Sequence, residues 1–387
     1  MKIGILTLPL HTNYGGILQA YALQTVLERM GHEVEVIDKP DQIHRPLWRN
    51  SFTFAKRLAL RAMGKHISLN YQKEYNIRER AKRKYVNVFI QKYIKRRILD
   101  KYNKISPNDY DAIVVGSDQV WRRAYMPENN VRIAFLDFTK GWNIKRIAYA
   151  ASFGIDYWDY NKKDTKIAKQ AIKQFDAVST REKSGVKLCE KYLNYGNAIQ
   201  VLDPTMLLDK SDYEELVKKS RQTYKPNGDL MLYILDYTDE KCEFVDKVAK
   251  TLNLRPFNTN SKYEVEGASL DEIVQPPVEQ WLRSFMEASF VITDSFHACV
   301  FSIIFHKPFI VIGNNNRGMT RIQNLISLLG LEERMAIDNK MFCINNIVDW
   351  CKIDNRFCKL KEKSIIYIES ILNYEKLPKD IYYHSGV

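Results

Sequence analysis

Ser289-Phe290-Val291-Ile292-Thr293-Asp294-Ser295-Phe296-His297 is the stretch that decides the fold. Phe290, Val291 and Ile292 make the short apolar run of a buried strand. Asp294 and Ser295 are helix-capping residue types, and the apolar run Ala298–Phe305 behind them has helical length. His297 then falls in the first turn of a helix, just past the C-terminal end of a strand. Open α/β sheets bind ligands in the crevice at those ends. A helix N-terminus adds free N–H groups and a partial positive charge that favour an anion. Two readings stand side by side. One is a phosphate or carboxylate site with a titratable imidazole beside it; the other is a capped helix with an exposed His.

The same strand-then-helix rhythm runs outward from this stretch. Residues 2–8 read as a strand, followed by the loop His11-Thr12-Asn13-Tyr14-Gly15-Gly16 and a helix from Ile17 to Met30 that ends at Gly31. Glu33–Ile37 reads as a second strand, which makes a βαβ opening and favours a parallel sheet. The pattern resumes with strands at Ala112–Val115, Arg146–Ala150, Ala177–Ser179 and Ala198–Leu202, and a helix at 163–174. A second alternation has strands at Leu230–Leu235 and Phe309–Ile312, and helices at Lys241–Leu252, Val278–Glu287 and Ile322–Leu329. A chain of 387 residues is too long for one ordinary core. The expected architecture is α/β, with two Rossmann-like doubly wound domains facing a central cleft. The first spans 1–205, with a basic helical insertion at about 41–105; the second spans 206–360. A helix and tail at 361–387 are expected to pack back on the first domain.

Composition narrows the function classes. Hydrophobic content of 45% and charged content of 27% are those of a globular chain. The six Cys, at 189, 242, 299, 343, 351 and 358, include no C-x-x-C pair, so neither a zinc site nor a redox pair is expected. They read as free thiols of a reducing compartment. Met1–Leu10 is too short and too soon polar for a signal peptide, and the expected address is the cytoplasm. No acidic cluster suggests a required metal.

The charge is concentrated in one place. The chain carries 59 Lys and Arg against 46 Asp and Glu, net +13. Between Arg45 and Lys104 there are 18 basic and 3 acidic residues, net +15, so this segment carries the whole excess. Trp48, Phe52, Phe54, Leu58, Tyr85, Phe89 and Tyr93 are interleaved with the cations. Such a mixture suits a membrane surface or a partner helix, and equally an ordinary helical insertion with a solvated basic face. No nucleic-acid motif accompanies it, so a nucleic-acid partner is not expected.

Several strand-end loops carry residues suited to chemistry. The 11–16 loop lacks both G-x-G-x-x-G spacing and a Walker A pattern. Gly15 and Gly16 still permit close backbone approach, and Asn13 is suited to hydrogen-bonding a sugar or phosphate. In Gly116-Ser117-Asp118, Asp118 can take a proton from a hydroxyl or cap a helix. Ala151-Ser152-Phe153-Gly154 and Ser179-Thr180-Arg181-Glu182 are two further loops. Arg181 is suited to clamp an anion, or to pair with Glu182 or another carboxylate. Arg317 and Arg321, with His297, make an expected cationic cluster for an anionic small molecule.

Taken together, these loops resemble the polysaccharide pyruvyl transferase family. The resemblance rests on Asn13-Tyr14-Gly15 with Leu18–Leu23, Val115–Trp121, Tyr149–Gly154, Thr180-Arg181-Glu182, Asp203-Pro204-Thr205, Thr293–His297 and Arg321. It implies a fold like that of GT-B glycosyltransferases. It also implies phosphoenolpyruvate as donor substrate with no further cofactor, and a sugar hydroxyl pair as acceptor, often on a lipid-linked glycan. The product is a cyclic pyruvate ketal on a surface polysaccharide. By this resemblance His297 and Arg181 are catalytic, with Asp118 as a candidate base. Ser295, Arg317, Arg321, Ser152 and Gly154 are expected at the donor, and Asn13, Tyr14 and Gly15 at the acceptor. Where other members carry Arg-Leu before this His, the chain has Ser295-Phe296; Arg317 or Arg321 is the expected replacement for the missing cation. In this setting the 45–104 segment is expected to hold the enzyme peripherally at the inner membrane face. A GT-B nucleotide-sugar glycosyltransferase and a non-catalytic glycan- or membrane-binding protein are the two rival functions.

Overall fold

The computed structural model describes the chain except residues 41–46, 64–68, 127–129, 221–224, 263–264, 266, 315–318, 337–346 and 374–387, and gives backbone only at 47–53 and 55. Arg317 and Cys343, and the side chains of Trp48 and Phe52, therefore lie outside the described residues. Among those that are described, two parallel sheets form the frame, one of seven strands and one of four.

The first sheet follows the chain as β1 (Lys2–Leu6), α1 (Tyr14–Arg29), β2 (Glu33–Asp38), α2 (Leu47–Ala62), α3 (Tyr71–Lys82), α4 (Lys84–Tyr93), β3 (Arg96–Ile98), β4 (Ala112–Val115), α5 (Val131–Ala134), β5 (Lys145–Ala151), α6 (Lys162–Ala171), β6 (Ala177–Thr180), α7 (Lys183–Leu193) and β7 (Ile199–Gln200). Its order is β3-β2-β1-β4-β5-β6-β7, so the strand order reverses between β1 and β4. That switch point is where a doubly wound sheet opens a crevice. β1 and β4 are almost wholly apolar and buried, as central parallel strands covered on both faces must be.

The second sheet is built from α8 (Lys210–Lys218), β8 (Leu230–Tyr233), α9 (Asp239–Leu252), β9 (Pro256–Asn258), α10 (Val278–Glu287), β10 (Phe290–Thr293), α11 (Phe296–Ile304), β11 (Phe309–Val311), α12 (Thr320–Leu329) and α13 (Trp350–Asn373). Its order, β11-β10-β8-β9, reverses between β8 and β10. The loop after β10, which carries His297, therefore lies at the second switch point. The two domains are fused through one hydrophobic cluster that includes Ile17 and Leu18 of α1, Trp281 and Phe285 of α10, and Phe301 of α11. The architecture is α/β and GT-B-like: two Rossmann-like units whose strand C-termini face each other.

Three departures from expectation have physical causes. The 41–105 insertion is not purely helical. It contributes the strand β3, which pairs in parallel with β2 (Val36 opposite Arg96), and α4 buries Val86, Phe89 and Ile90 against the first domain. Cationic β3 works as an edge strand because Arg96 pairs with Asp38 (2.8 Å) and Arg97 with Asp109 (2.8 Å). β9 carries only one buried residue, Phe257, and so gave no periodic signal. Finally, α13 is one continuous helix from Trp350 that crosses the expected boundary at 360. Arg356 Nη1 donates to the Leu329 carbonyl in the second domain (3.0 Å), while Lys145 Nζ reaches the Ile371 and Leu372 carbonyls from the first (3.0 and 2.9 Å).

Candidate active site at the facing strand ends

His297 is the second residue of α11 and is buried. Ser295 occupies the N-cap position but makes no side-chain cap bond; its backbone N–H donates to Thr293 Oγ1 (3.0 Å). The N–H groups of the first turn thus face the cleft uncapped by Ser295. Asp294 points away from them, as an anion site here requires. Its Oδ1 accepts from Leu235 N (2.8 Å), and its Oδ2 from Lys241 Nζ and Asn314 Nδ2 (2.8 Å each). This carboxylate ties β10 to the loop after β8 and fixes where α11 begins.

From the first domain, Gly15 comes up against the imidazole. A Cβ on Gly15 would stand 1.9 Å from His297 Nδ1, so only glycine permits the approach. Asn13 is the N-cap of α1, its side chain accepting from Gly16 N (3.2 Å). Tyr14 is fully buried, stacks on Trp281 (ring centroids 5.1 Å apart) and donates its hydroxyl to the Pro276 carbonyl (2.7 Å). The phenol thus belongs to the joint between the domains, which leaves Asn13 and Gly15 as the members of this loop nearest the cleft.

A carboxylate network lies beside His297. Asp203 Oδ2 accepts from Arg181 Nη1 (2.8 Å) and stands 3.8 Å from His297 Nε2; Ser117 Oγ is 3.1 Å away. Its Oδ1 takes the backbone N–H and hydroxyl of Thr205 (3.0 and 2.7 Å). Arg181 Nη2 faces Asp118 Oδ1 (3.4 Å), its Nε lies 3.9 Å from Glu182 Oε2, and its guanidinium lies over the Phe296 ring (4.4 Å). Of the two readings of Arg181, anion clamp or carboxylate partner, the geometry matches the second: both terminal nitrogens already face carboxylates, so it organises acids rather than offering an open fork. Asp118 sits at φ 65° with Oδ2 near Gly16. Ser152 Oγ donates to Glu182 Oε1 (2.8 Å) and accepts from Gly154 N (2.9 Å); these two residues orient Glu182.

Arg321, on α12, is also buried, and α12 abuts the β6–α7 turn through Asn324 Oδ1, which accepts from Lys183 N (3.1 Å). The expected cationic cluster is therefore a mixed one. His297, Arg181 and Arg321 share the space with Asp118, Glu182 and Asp203, all buried.

Burial sets the proton affinities. It pushes His297 below its ordinary value, and nearby Arg181 and Arg321 reinforce this against the pull of Asp203 and Asp118. Burial also pushes Glu182 up, despite Arg181 and the Ser152 hydrogen bond. For Asp203 burial acts upward, but Arg181 and His297 outweigh it and hold the carboxyl below its ordinary value. Arg321 falls to about 10, through burial first and Arg181 second. His297 Nε2 and Glu182 Oε2 have no hydrogen-bond partner among the described residues. Buried polar atoms left in this state mark a place where a ligand completes the bonding.

Sequence reasoning did not single out Asp203 and Glu182 as members of the site. Their signal was present in Asp203-Pro204-Thr205 and Arg181-Glu182, but nothing local says that these turns converge on His297.

No curated protein matches the sequence significantly. UDP-GlcNAc 2-epimerase from Neisseria meningitidis, solved with UDP-GlcNAc, is 10% identical with a TM-score of 0.48, covering 97% of this chain and 95% of that one. The Methanocaldococcus jannaschii UDP-GlcNAc 2-epimerase is 13% identical with a TM-score of 0.43, covering 97% and 94%. An alpha-glucosyltransferase in complex with UDP is 10% identical with a TM-score of 0.43, covering 97% and 96%. A sequence model of one family, polysaccharide pyruvyl transferase, matches residues 13–316. That span runs from the Asn13 cap past His297, and the chain belongs to the polysaccharide pyruvyl transferase family of transferases.

Proposed function

We propose that this protein transfers pyruvate from phosphoenolpyruvate to two hydroxyls of one sugar residue, forming a cyclic ketal on a cell-surface polysaccharide precursor. One observation carries it: the buried Nε2 of His297 at the start of α11, which has no hydrogen-bond partner among the described residues, in a chain whose family match includes that turn. The donor carries a carboxylate and a phosphate. The first-turn N–H groups of α11 and the Arg321 guanidinium are the groups that receive them.

His297 delivers a proton to the donor methylene, which becomes the methyl group. The C2 centre so activated is attacked by the first sugar hydroxyl, whose proton passes to Asp118. The C2–O bond to phosphate breaks, the second hydroxyl closes the ring on C2, and its proton leaves with the phosphate. Arg181 and Asp203 are positioning residues, holding Asp118 and the imidazole in place. The acceptor enters from the Asn13–Gly15 side, as a lipid-linked oligosaccharide.

Thermal unfolding with phosphoenolpyruvate, UDP-sugars and CDP-sugars tests the donor without knowledge of the acceptor. A ligand at about 100 times its Kd adds roughly 2.7 kcal/mol and raises the Tm by a few degrees. A rise with phosphoenolpyruvate alone, reduced in Arg321→Gln, is expected. A rise with only a nucleotide sugar replaces the proposal with glycosyl transfer.

A further inference from the structure

Over Phe54–Met63, where all side chains but that of Ala55 are described, the exposed side of the α2 segment is largely apolar. On a helical pitch Phe54, Leu58, Ala59, Ala62 and Met63 fall on one side, and every one of them is exposed. Phe54 is 48% exposed, Leu58 51% and Met63 76%. Lys56 and Arg61, both exposed, stand at the two edges of this side, and neither makes an ion pair among the described residues. The opposite side leans on α3. There Arg57 Nη1 bonds Glu74 Oε2 (2.6 Å) and its guanidinium lies over Tyr71 (4.9 Å). The helix therefore turns its polar contact inward and its apolar face outward, the reverse of a surface helix in water.

The pair is anchored at the mouth of the cleft. Glu79 on α3 accepts from His11 Nε2 (2.8 Å), which holds its carboxyl down at about 2. Arg83 reaches the Leu10 carbonyl (2.5 Å), and Gln275 N, in the second domain, donates to the Lys82 carbonyl (3.1 Å).

We infer that α2 and α3 form an interfacial docking surface for an anionic lipid bilayer, which holds the cleft mouth at the membrane plane. The apolar half with a cation on each edge suits the headgroup–acyl boundary, where apolar residues insert and Lys and Arg meet phosphate. Residues 47–82 hold nine Lys and Arg against two acids, Glu74 and Glu79, and this local excess supplies the complementary charge. Insertion is superficial, since no helix among the described residues is long and apolar enough to cross a membrane. This surface is independent of which donor the site takes.

Co-sedimentation of the full chain with phosphatidylcholine vesicles, with and without phosphatidylglycerol, tests it. Binding at least tenfold tighter to the anionic vesicles is expected, weakening as salt rises. Each neutralised cation should lower partitioning about fivefold, so Lys56→Gln/Arg61→Gln should lose about 25-fold. Phe54→Ser/Leu58→Ser should lose about tenfold or more. Both variants should keep the far-UV circular dichroism and the ligand-dependent Tm shift of the parent, which separates lost docking from lost folding or a failed donor assignment. Equal binding to neutral and anionic vesicles overturns the inference. So does unchanged binding of both variants, and so does binding to an acidic protein or an oligonucleotide with none to vesicles.

Discussion

Gly15 of the first domain lies so close to His297 of the second that a single added methyl group would stand 1.9 Å from Nδ1 of the ring. The imidazole is thus held in a slot whose other wall belongs to the opposite domain. Its placement depends on how the two sheets meet.

Gly15→Ala should therefore act on catalysis through His297. A displacement of about 1 Å at a reacting group costs on the order of 100-fold in rate. Loss of kcat with the Tm shift for phosphoenolpyruvate retained is expected; turnover equal to the parent would show that the ring tolerates the methyl group.

His297→Ala should lower turnover by about 100-fold or more, the usual contribution of a positioned acid or base. Its pH signature is separate. Burial holds the folded-state pKa below the ordinary 6.5, so below that pH the unfolded chain takes up a proton that the folded chain does not. Stability should fall as pH drops below 6.5, and His297→Asn should flatten that slope in urea titrations. An anionic donor beside the ring reverses the shift, so phosphoenolpyruvate binding should take up a proton near neutral pH. Calorimetry in buffers of different ionisation enthalpy reads this directly, and a buffer-independent heat would remove His297 as the acid.

Asp203→Asn should destabilise by about 3 kcal/mol, because it leaves the Arg181 guanidinium buried beside a neutral group. The folded carboxyl titrates below its ordinary 3.8, so its stabilisation is present above that pH and lost as pH falls through the lower folded value. The gap in urea midpoint between variant and parent should accordingly be full at pH 7 and narrow below 3.8. A variant as stable as the parent at pH 7 would mean that Asp118 and Glu182 suffice for Arg181.

Asp294→Ala should cost about 3–5 kcal/mol, since it strips Lys241 Nζ, Asn314 Nδ2 and the Leu235 N–H of one shared acceptor. Guanidinium unfolding measures it. Asp294→Asn should recover part of the loss, because the amide oxygen still accepts while the charge is gone.

Much of this site was legible before the structure, and its gaps have definite causes. The strand–turn–helix around His297 was readable because a buried strand, a polar turn and an apolar helix leave different local periodicities. Asp294 read as a helix-capping type, but its carboxylate turns away from the helix start to Lys241, a partner 53 residues distant that no local pattern reveals. Arg181 was not decidable from the sequence. Whether a guanidinium meets a ligand or a carboxylate depends on residues 63 and 22 positions away, Asp118 and Asp203. By the family resemblance Tyr14 was expected at the acceptor with Asn13 and Gly15. It is the first residue of α1, and the helical turn carries its ring to Trp281 instead.

The sequence alone determined the alternation of strands and helices, the two doubly wound units, the family and the placing of His297 at a helix start. All of these are written in short-range pattern, where side-chain period and capping chemistry act over a few residues. Only the tertiary structure decided the electrostatic character of the site. Three acids and two arginines far apart in the chain come to lie around one imidazole because both sheets reverse their strand order there. Burial then sets which of those groups hold a proton, a property of the shared space that no single segment encodes.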